Sequence, residues 1–544
     1  MTLTLRDPNE VMRLKRLGST FPTRLSFQRV LLRRLAAEGS TVSRPVWEID
    51  DEGFGRAVYS VDLGGYTYSL VAFSNPLDPE NRTDRVIANA WDTTYVLFDG
   101  TPSTADLDRL QQNAPKQEAG RYEPTEIVLC RANKSVRLFA HVVDALKAGK
   151  QPDPALITST GYLMRTTAVY GNGKFGIADR ARIADRPGLG GPFMAEMLAV
   201  WLVRGFTHDL AEHMGGAEMS RELKKRLGIG NSTGLGMAPF LVSHPVLLHH
   251  WFETREIALA RVVDVSQLSD EHAHTYADLC VRAHEHLQQW HVPDPVHQTR
   301  NEAVATGWAD LTQDWTVEAW KAPNATQHFL EASTRYNEDI QELAVSLLLE
   351  PMGDLIDDLA ADLASDNPLS FDPAMDVADL RHLIETQAAW ALDTDFDAAA
   401  ETAQFWYVSQ SKLEPRLGNR AEEDGAELES PLDIARRIKD LYADLQDAAG
   451  SVAGFLMRRP EHRFALRRVQ TLGEKTYSEL RDNLISDRCM PIDMLRAKLA
   501  CFGASKFDPK SDRWTRINLC QGAPLFDELD NADDWWLPVF EEHV

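Results

Sequence analysis

Cysteine is scarce and scattered. The five Cys, at 130, 280, 489, 501 and 520, form no C-x-x-C pair. That excludes a disulfide framework and a Cys-rich zinc module, and it points to a reducing compartment. Long apolar runs are missing too, since no stretch approaches the roughly 18 residues that a transmembrane helix needs. Residues 1–19 are basic but have no apolar centre, so they do not read as a secretory signal. A cytoplasmic protein without membrane contact is expected. Positive charge is in deficit: 57 Lys and Arg face 82 Asp and Glu, a net charge of -25 over 544 residues. A surface of that sign cannot neutralise phosphates along a nucleic acid, so none is expected as partner. No repeat of fixed period is present, which excludes a solenoid. No Walker A loop occurs, and residues 53–73 lack the Lys, H-R-D and D-F-G that a kinase would need.

The apolar pattern divides the chain. Residues 1–40 are helical and locally basic, with eight Arg or Lys against three acids. Phe27, Leu31 and Leu35 share one helical face there, which reads as a packing helix, with anion or membrane contact as the alternative. Residues 45–100 hold β-branched and aromatic runs at 46–49, 57–61, 66–73 and 94–98, and residues 62–65 (Asp-Leu-Gly-Gly) form a hairpin turn between two of them. Helix dominates from about 103. Beyond 242 helices are expected at 245–262, 270–290, 323–349, 376–392, 398–411, 432–448 and 461–484. Residues 354–397 carry eleven Asp and one Glu against the single Arg381, which reads as a solvated helix face. The basic run 457–468 reads as a partner for the chain's own acidic helices.

Glycine and histidine concentrate in one region. Fourteen of the 32 Gly fall in 161–236, and eleven of the 16 His fall in 208–297. Gly lets a backbone approach a ligand, and His titrates near neutrality. Gly171, Gly173 and Gly176 satisfy G-x-G-x-x-G, but no βαβ unit follows and Asp185 lies too near to serve as the ribose acid. A tight loop remains, carrying Arg165, Tyr170, Asn172, Lys174 and Arg180, a set suited to a carboxylate or phosphate. A second Gly-rich loop has Gly at 228, 230, 234 and 236, with Asn231, Ser232 and Thr233 between them and a helix after His244. Free N–H groups before a helix start make an anion site.

The histidines match no standard metal set. His208, Glu212 and His213 come nearest, but their spacing is neither H-E-x-x-H nor H-x-x-E-H. Glu271 and His274 give one E-x-x-H, where a di-iron bundle needs two.

The expectation is an α+β protein, predominantly α-helical, with a small N-terminal antiparallel sheet followed by a large helical domain. Residues 1–150 would hold the first helix, the sheet and further helices. Residues 151–300 would carry the active site, and 301–544 would be helical, able to form one domain with 151–300. The expected function is an enzyme acting on a small anionic carboxylate or phosphate metabolite by acid–base chemistry, as a lyase or hydrolase. Arg165, Asn172, Lys174, Arg180, Asn231, Ser232 and Thr233 would bind it, with Tyr170 and His244 as acid and base. No cofactor is expected. The alternatives are a helical scaffold or adaptor, and a hydrolase or oxygenase with a divalent metal on His208, Glu212 and His213. A homo-oligomer is compatible with this sequence.

Overall fold

The computed structural model describes residues 5–7, 11, 23–78, 91–115, 123–171, 174–175, 183, 185–231, 245–291, 295–364, 372, 374–397, 404–409, 412–418, 426–428, 433–473, 484–485, 500–511 and 514–535. A helix, α1 (Phe27–Ala37), precedes five antiparallel strands: β1 (Val42–Ile49), β2 (Gly55–Leu63), β3 (Tyr66–Ser74), β4 (Thr93–Asp99) and β5 (Glu126–Lys134). Gly64 and Gly65 close the β2–β3 turn, both at positive φ, which glycine reaches without strain.

Alternation along these strands sorts their side chains between two cores. Tyr68, Leu70 and Ala72 of β3 face the main core, and Val71 and Phe73 face a second cluster. Leu107 and Leu110, of the helix α2 (Thr104–Asn113), cover that second face. Ser103 and Asp106 start α2 with a reciprocal capping box.

The sheet is larger than the sequence suggests. It continues through β6 (Tyr162–Gly171) to β8 (Gly228–Asn231), with the short β7 (Lys174–Phe175) on β6. It ends on a hairpin from the far end of the chain, β13 (Ala504–Ser511) and β14 (Trp514–Leu519). The result is one ten-stranded sheet in a mixed α+β fold. The pairing of β6 with β8 is parallel, whereas the expected sheet was wholly antiparallel. Parallel neighbours need a crossover. Here it is mainly α4 (Met194–Gly215), while α3 (Phe139–Lys147) precedes β6. α4 is buried nearly all round: Leu198, Trp201, Leu202, Phe206 and Leu210 are all within the main core.

Helices α5 (Arg221–Arg226), α6 (Pro245–Val263), α7 (Asp270–Gln289), α8 (Pro295–Thr312) and α9 (Glu338–Leu349) follow. Expected helix 323–349 is broken at Asn337, which caps α9 through its side chain. The expected helix 398–411 contains a strand instead, β9 (Gln404–Ser409), which pairs with β10 (Lys412–Gly418), β11 (Ala426–Leu428) and β12 (Leu484–Ile485). Its Phe-Trp-Tyr-Val run prefers a pleated surface.

A separate core joins α10 (Val377–Gln387), α11 (Asp433–Gln446) and α12 (Arg463–Leu472). The main core resumes at Ala500, so these helices sit within the sequence of the main body as an insertion. Among the described residues, no helix is long and apolar enough to cross a membrane.

Candidate functional site

The two Gly-rich segments begin side by side. Arg165 pairs with Gly230, and Thr166 with Asn231, across β6 and β8. Arg165 to Gly171 form strand, not the expected loop, and so do residues 228–231. Tyr170 stands opposite Leu129 and Phe175, and Lys174 opposite Gly171. The side chains of Tyr170, Lys174 and Asn231 lie outside the described residues, as do Asn172, Arg180, Ser232, Thr233 and His244 entirely. Arg165 is buried.

Packing explains two of the glycines read as ligand contacts. A Cβ on Gly228 would lie 2.3 Å from the Leu519 carbonyl oxygen, and one on Gly230 2.6 Å from the Tyr162 ring. These glycines let β14 and Tyr162 close against β8.

The trio His208, Glu212 and His213 is divided among three surroundings. Glu212 accepts from the Met219 N–H at 2.8 Å and pairs with Lys224 at 2.7 Å. His213 Nε2 meets the Asp50 carbonyl at 2.9 Å. His208 is buried, and burial, with Arg204 and Lys224 beside it, holds it well below its ordinary pKa and neutral. Its Nε2 has no hydrogen-bond partner. The cavity of about 330 Å³ beside it has cations already engaged. Arg204 donates to the carbonyls of Leu227, Ala523, Pro524 and Lys224, and Arg221 pairs with Asp527 and Glu528.

A different place gathers arginines, one of which, Arg34, pairs with Glu38 at 2.7 Å. Between α1, residues 186–194 and residues 357–360 lies a cleft of about 660 Å³. Phe27, Val30, Arg33, Arg34 and Ala37 line it from one side of α1, at helical spacing. Across from them, residues 188–191 lead into α4. Gly188 has φ 75, and a Cβ there would meet Leu63 at 2.4 Å. Arg34 donates to the Gly188 carbonyl at 3.3 Å, and Arg186 holds Asp99 at 2.6 Å. Phe193 then starts α4 in the left-handed region, φ 56, with no side-chain cap. Phe27, Phe193 and Phe502 form an aromatic trio, with centroids 4.9–5.5 Å apart, that fixes α1 against this start. Each such contact adds about 0.5–1.5 kcal/mol beyond burial.

Three arginines of one segment enter the interior here, and their partners decide which is left over. Arg29, fully buried, pairs with Glu350 through both terminal guanidinium nitrogens, its Nε having no hydrogen-bond partner. Arg24 takes both oxygens of Asp357 and the Glu350 carbonyl. Arg33 donates through Nη2 to the Arg24 carbonyl, and otherwise meets Asp357 at 3.4 Å and Asp533 at 3.9 Å. Its Nε and Nη1 are buried without a hydrogen-bond partner, and the side chain is 9% exposed. An unmet buried guanidinium is costly. Burial, and the charges of Arg24 and Arg29, lower Arg33 to about 9. For Asp357, burial alone would raise the carboxyl, but the Arg24 bonds and the charge of Arg33 outweigh it and hold it below its ordinary value. Asp358, on the same wall, pairs with Arg261 at 2.7 Å. The acidic stretch is therefore not only a solvated face.

Sequence reading missed Arg33, Arg34 and Arg186. The one signal was the basic helix at 27–35, where anion contact stood as an alternative.

Among the described residues, one group has metal-ligating geometry: Asp444, Glu461 and His462. Its charges have partners at hand. His462 Nε2 lies 2.8 Å from Asp444, and Arg459 reaches Asp444 at 3.7 Å and Glu461 at 3.5 Å. Asp444 lies on α11, which carries three Asp against two Arg and one Lys, so the basic run 457–468 meets here an aspartate of a charge-balanced helix. Comparison with known protein families, curated proteins and solved structures finds no match for this chain.

Proposed function

We propose that this chain binds a small anionic metabolite, a phosphate or carboxylate, in the arginine cleft, and performs proton-transfer chemistry on it of the lyase or hydrolase type. The observation that supports the binding is the gathering of Arg33, Arg34 and Arg186 on the walls of one cleft of about 660 Å³. Asp357, on the same wall, gives both oxygens to Arg24 and so holds the arginines in place. The test is thermal unfolding in phosphate, sulfate and acetate against chloride at equal ionic strength. A bound anion raises the midpoint in proportion to the logarithm of its concentration. The reading expects this rise in the native protein and its loss in Arg33→Gln. Equal rises in both would reject it.

A further inference from the structure

Cations are the minority charge of this chain, 57 against 82 carboxylates, so a carboxylate is to spare for each of them. Four cations of the inserted helical unit nevertheless stand without one. They are Arg436 and Lys439 on α11, Arg458 at the end of the helix Val452–Arg458, and Arg463 at the start of α12. All four are exposed, and among the described residues none of them is in an ion pair. Arg459, beside them, takes Asp444 and Glu461 instead. We propose that these four cations form a docking ridge for a short acidic segment of a partner protein.

The ridge is continuous and its cations are held out. Arg437 of α11 lies 5.0 Å over the Phe464 ring of α12, so the two helices carry their cations side by side. Arg436 and Lys439 stand over one ring, Phe396, at 4.6 and 5.1 Å. Cations resting on a ring face keep their charge and lose less freedom when an anion arrives. Arg463 stands in the first turn of α12, which has no acidic residue, although the helix dipole disfavours a cation there. Such a choice works against the helix and suits a task elsewhere. The occupant follows from charge and extent. From Arg436 to Asp444, α11 rises only about 12 Å. A nucleic acid or an anionic bilayer would run beyond that onto a chain of net charge -25. A few acidic residues would not, because charges further than about 8 Å away are screened.

Anisotropy of dye-labelled hexaglutamate, titrated with the full native chain in 50 mM salt, tests this. The native chain should bind it, and Lys439→Glu with Arg463→Glu should weaken binding at least about tenfold. If that variant does not fold, Arg436→Gln with Arg458→Gln should weaken it in the same direction. Lys150→Glu, at an exposed position outside the inserted unit, should bind like the native chain. No binding by the native chain would overturn the ridge, and so would equal loss in Lys150→Glu. Tighter binding of hexathymidylate carrying the same dye would overturn the acidic protein segment in favour of a nucleic acid. Pelleting of the chain with phosphatidylserine vesicles would overturn it in favour of a bilayer. Sedimentation of the native chain as a dimer that the double reversal dissolves would overturn it in favour of a second copy.

Discussion

Arg24 and Asp357 meet through two parallel bonds, Nε to Oδ1 and Nη2 to Oδ2, both 2.8 Å long. That pairing takes up the carboxylate nearest to Arg33. The next, Asp533, is largely exposed and 3.9 Å away. Arg33→Gln loses the Nη2 bond to the Arg24 carbonyl but also removes a buried guanidinium with two unmet nitrogens, so the two effects should offset to within about 1 kcal/mol in the unliganded protein. Urea unfolding without added anion measures it, and a loss of several kcal/mol would mean that Arg33 is held by the protein itself.

The Arg29–Glu350 pair should behave in the opposite way. Both side chains are buried, Arg29 completely. Glu350→Ala strands a buried cation and should cost about 3–5 kcal/mol. The double replacement Arg29→Met with Glu350→Leu should recover most of that, because it removes both charges together. A double variant as unstable as the single one would show that the pair is held for reasons other than charge.

Acid should unfold the protein through its buried histidines. Burial lowers His286 from 6.5 to about 3, so the native ring stays neutral while the unfolded one takes up a proton. The contribution is intact above 6.5 and is lost progressively as pH falls towards 3, at about 1.4 kcal/mol per unit. His208 is shifted in the same direction. Urea midpoints between pH 7 and 4 should fall, and His286→Phe should flatten the slope. An unchanged slope would place the acid response elsewhere.

Glycines test packing against ligand contact. Gly228→Ala puts a carbon 2.3 Å from a backbone oxygen and should cost more than about 2 kcal/mol. Gly216→Ala has φ 69 but open space, so it should cost only about 1 kcal/mol of backbone strain. Thermal unfolding of the two variants gives the order, and equal losses would refute the close contact at β8.

Local signals in the chain were legible where structure is local. Strands β2 to β4 follow from their β-branched and aromatic runs, and α6 and α7 from their apolar spacing and, for α7, the Ser269 cap. The Gly-rich strands were not legible. Gly228 and Gly230 resemble a loop until Leu519 and Tyr162 are known to press on them. The arginine cleft was hidden for the same reason. Arg29 and Glu350 are 321 residues apart, and Arg24 and Asp357 are 333 apart, so nothing near α1 says which arginine keeps a carboxylate.

Lys174 and Arg33 give rival placements for the anion, and one titration separates them. Inorganic phosphate is titrated calorimetrically into the native protein, Arg33→Gln and Lys174→Ala. Truncating one partner of a buried charge pair costs about 2–5 kcal/mol of binding. The account predicts that Lys174→Ala binds phosphate like the native protein and that Arg33→Gln shows no measurable heat. Full binding by Arg33→Gln with loss in Lys174→Ala would contradict it and return the site to the β6–β7 turn.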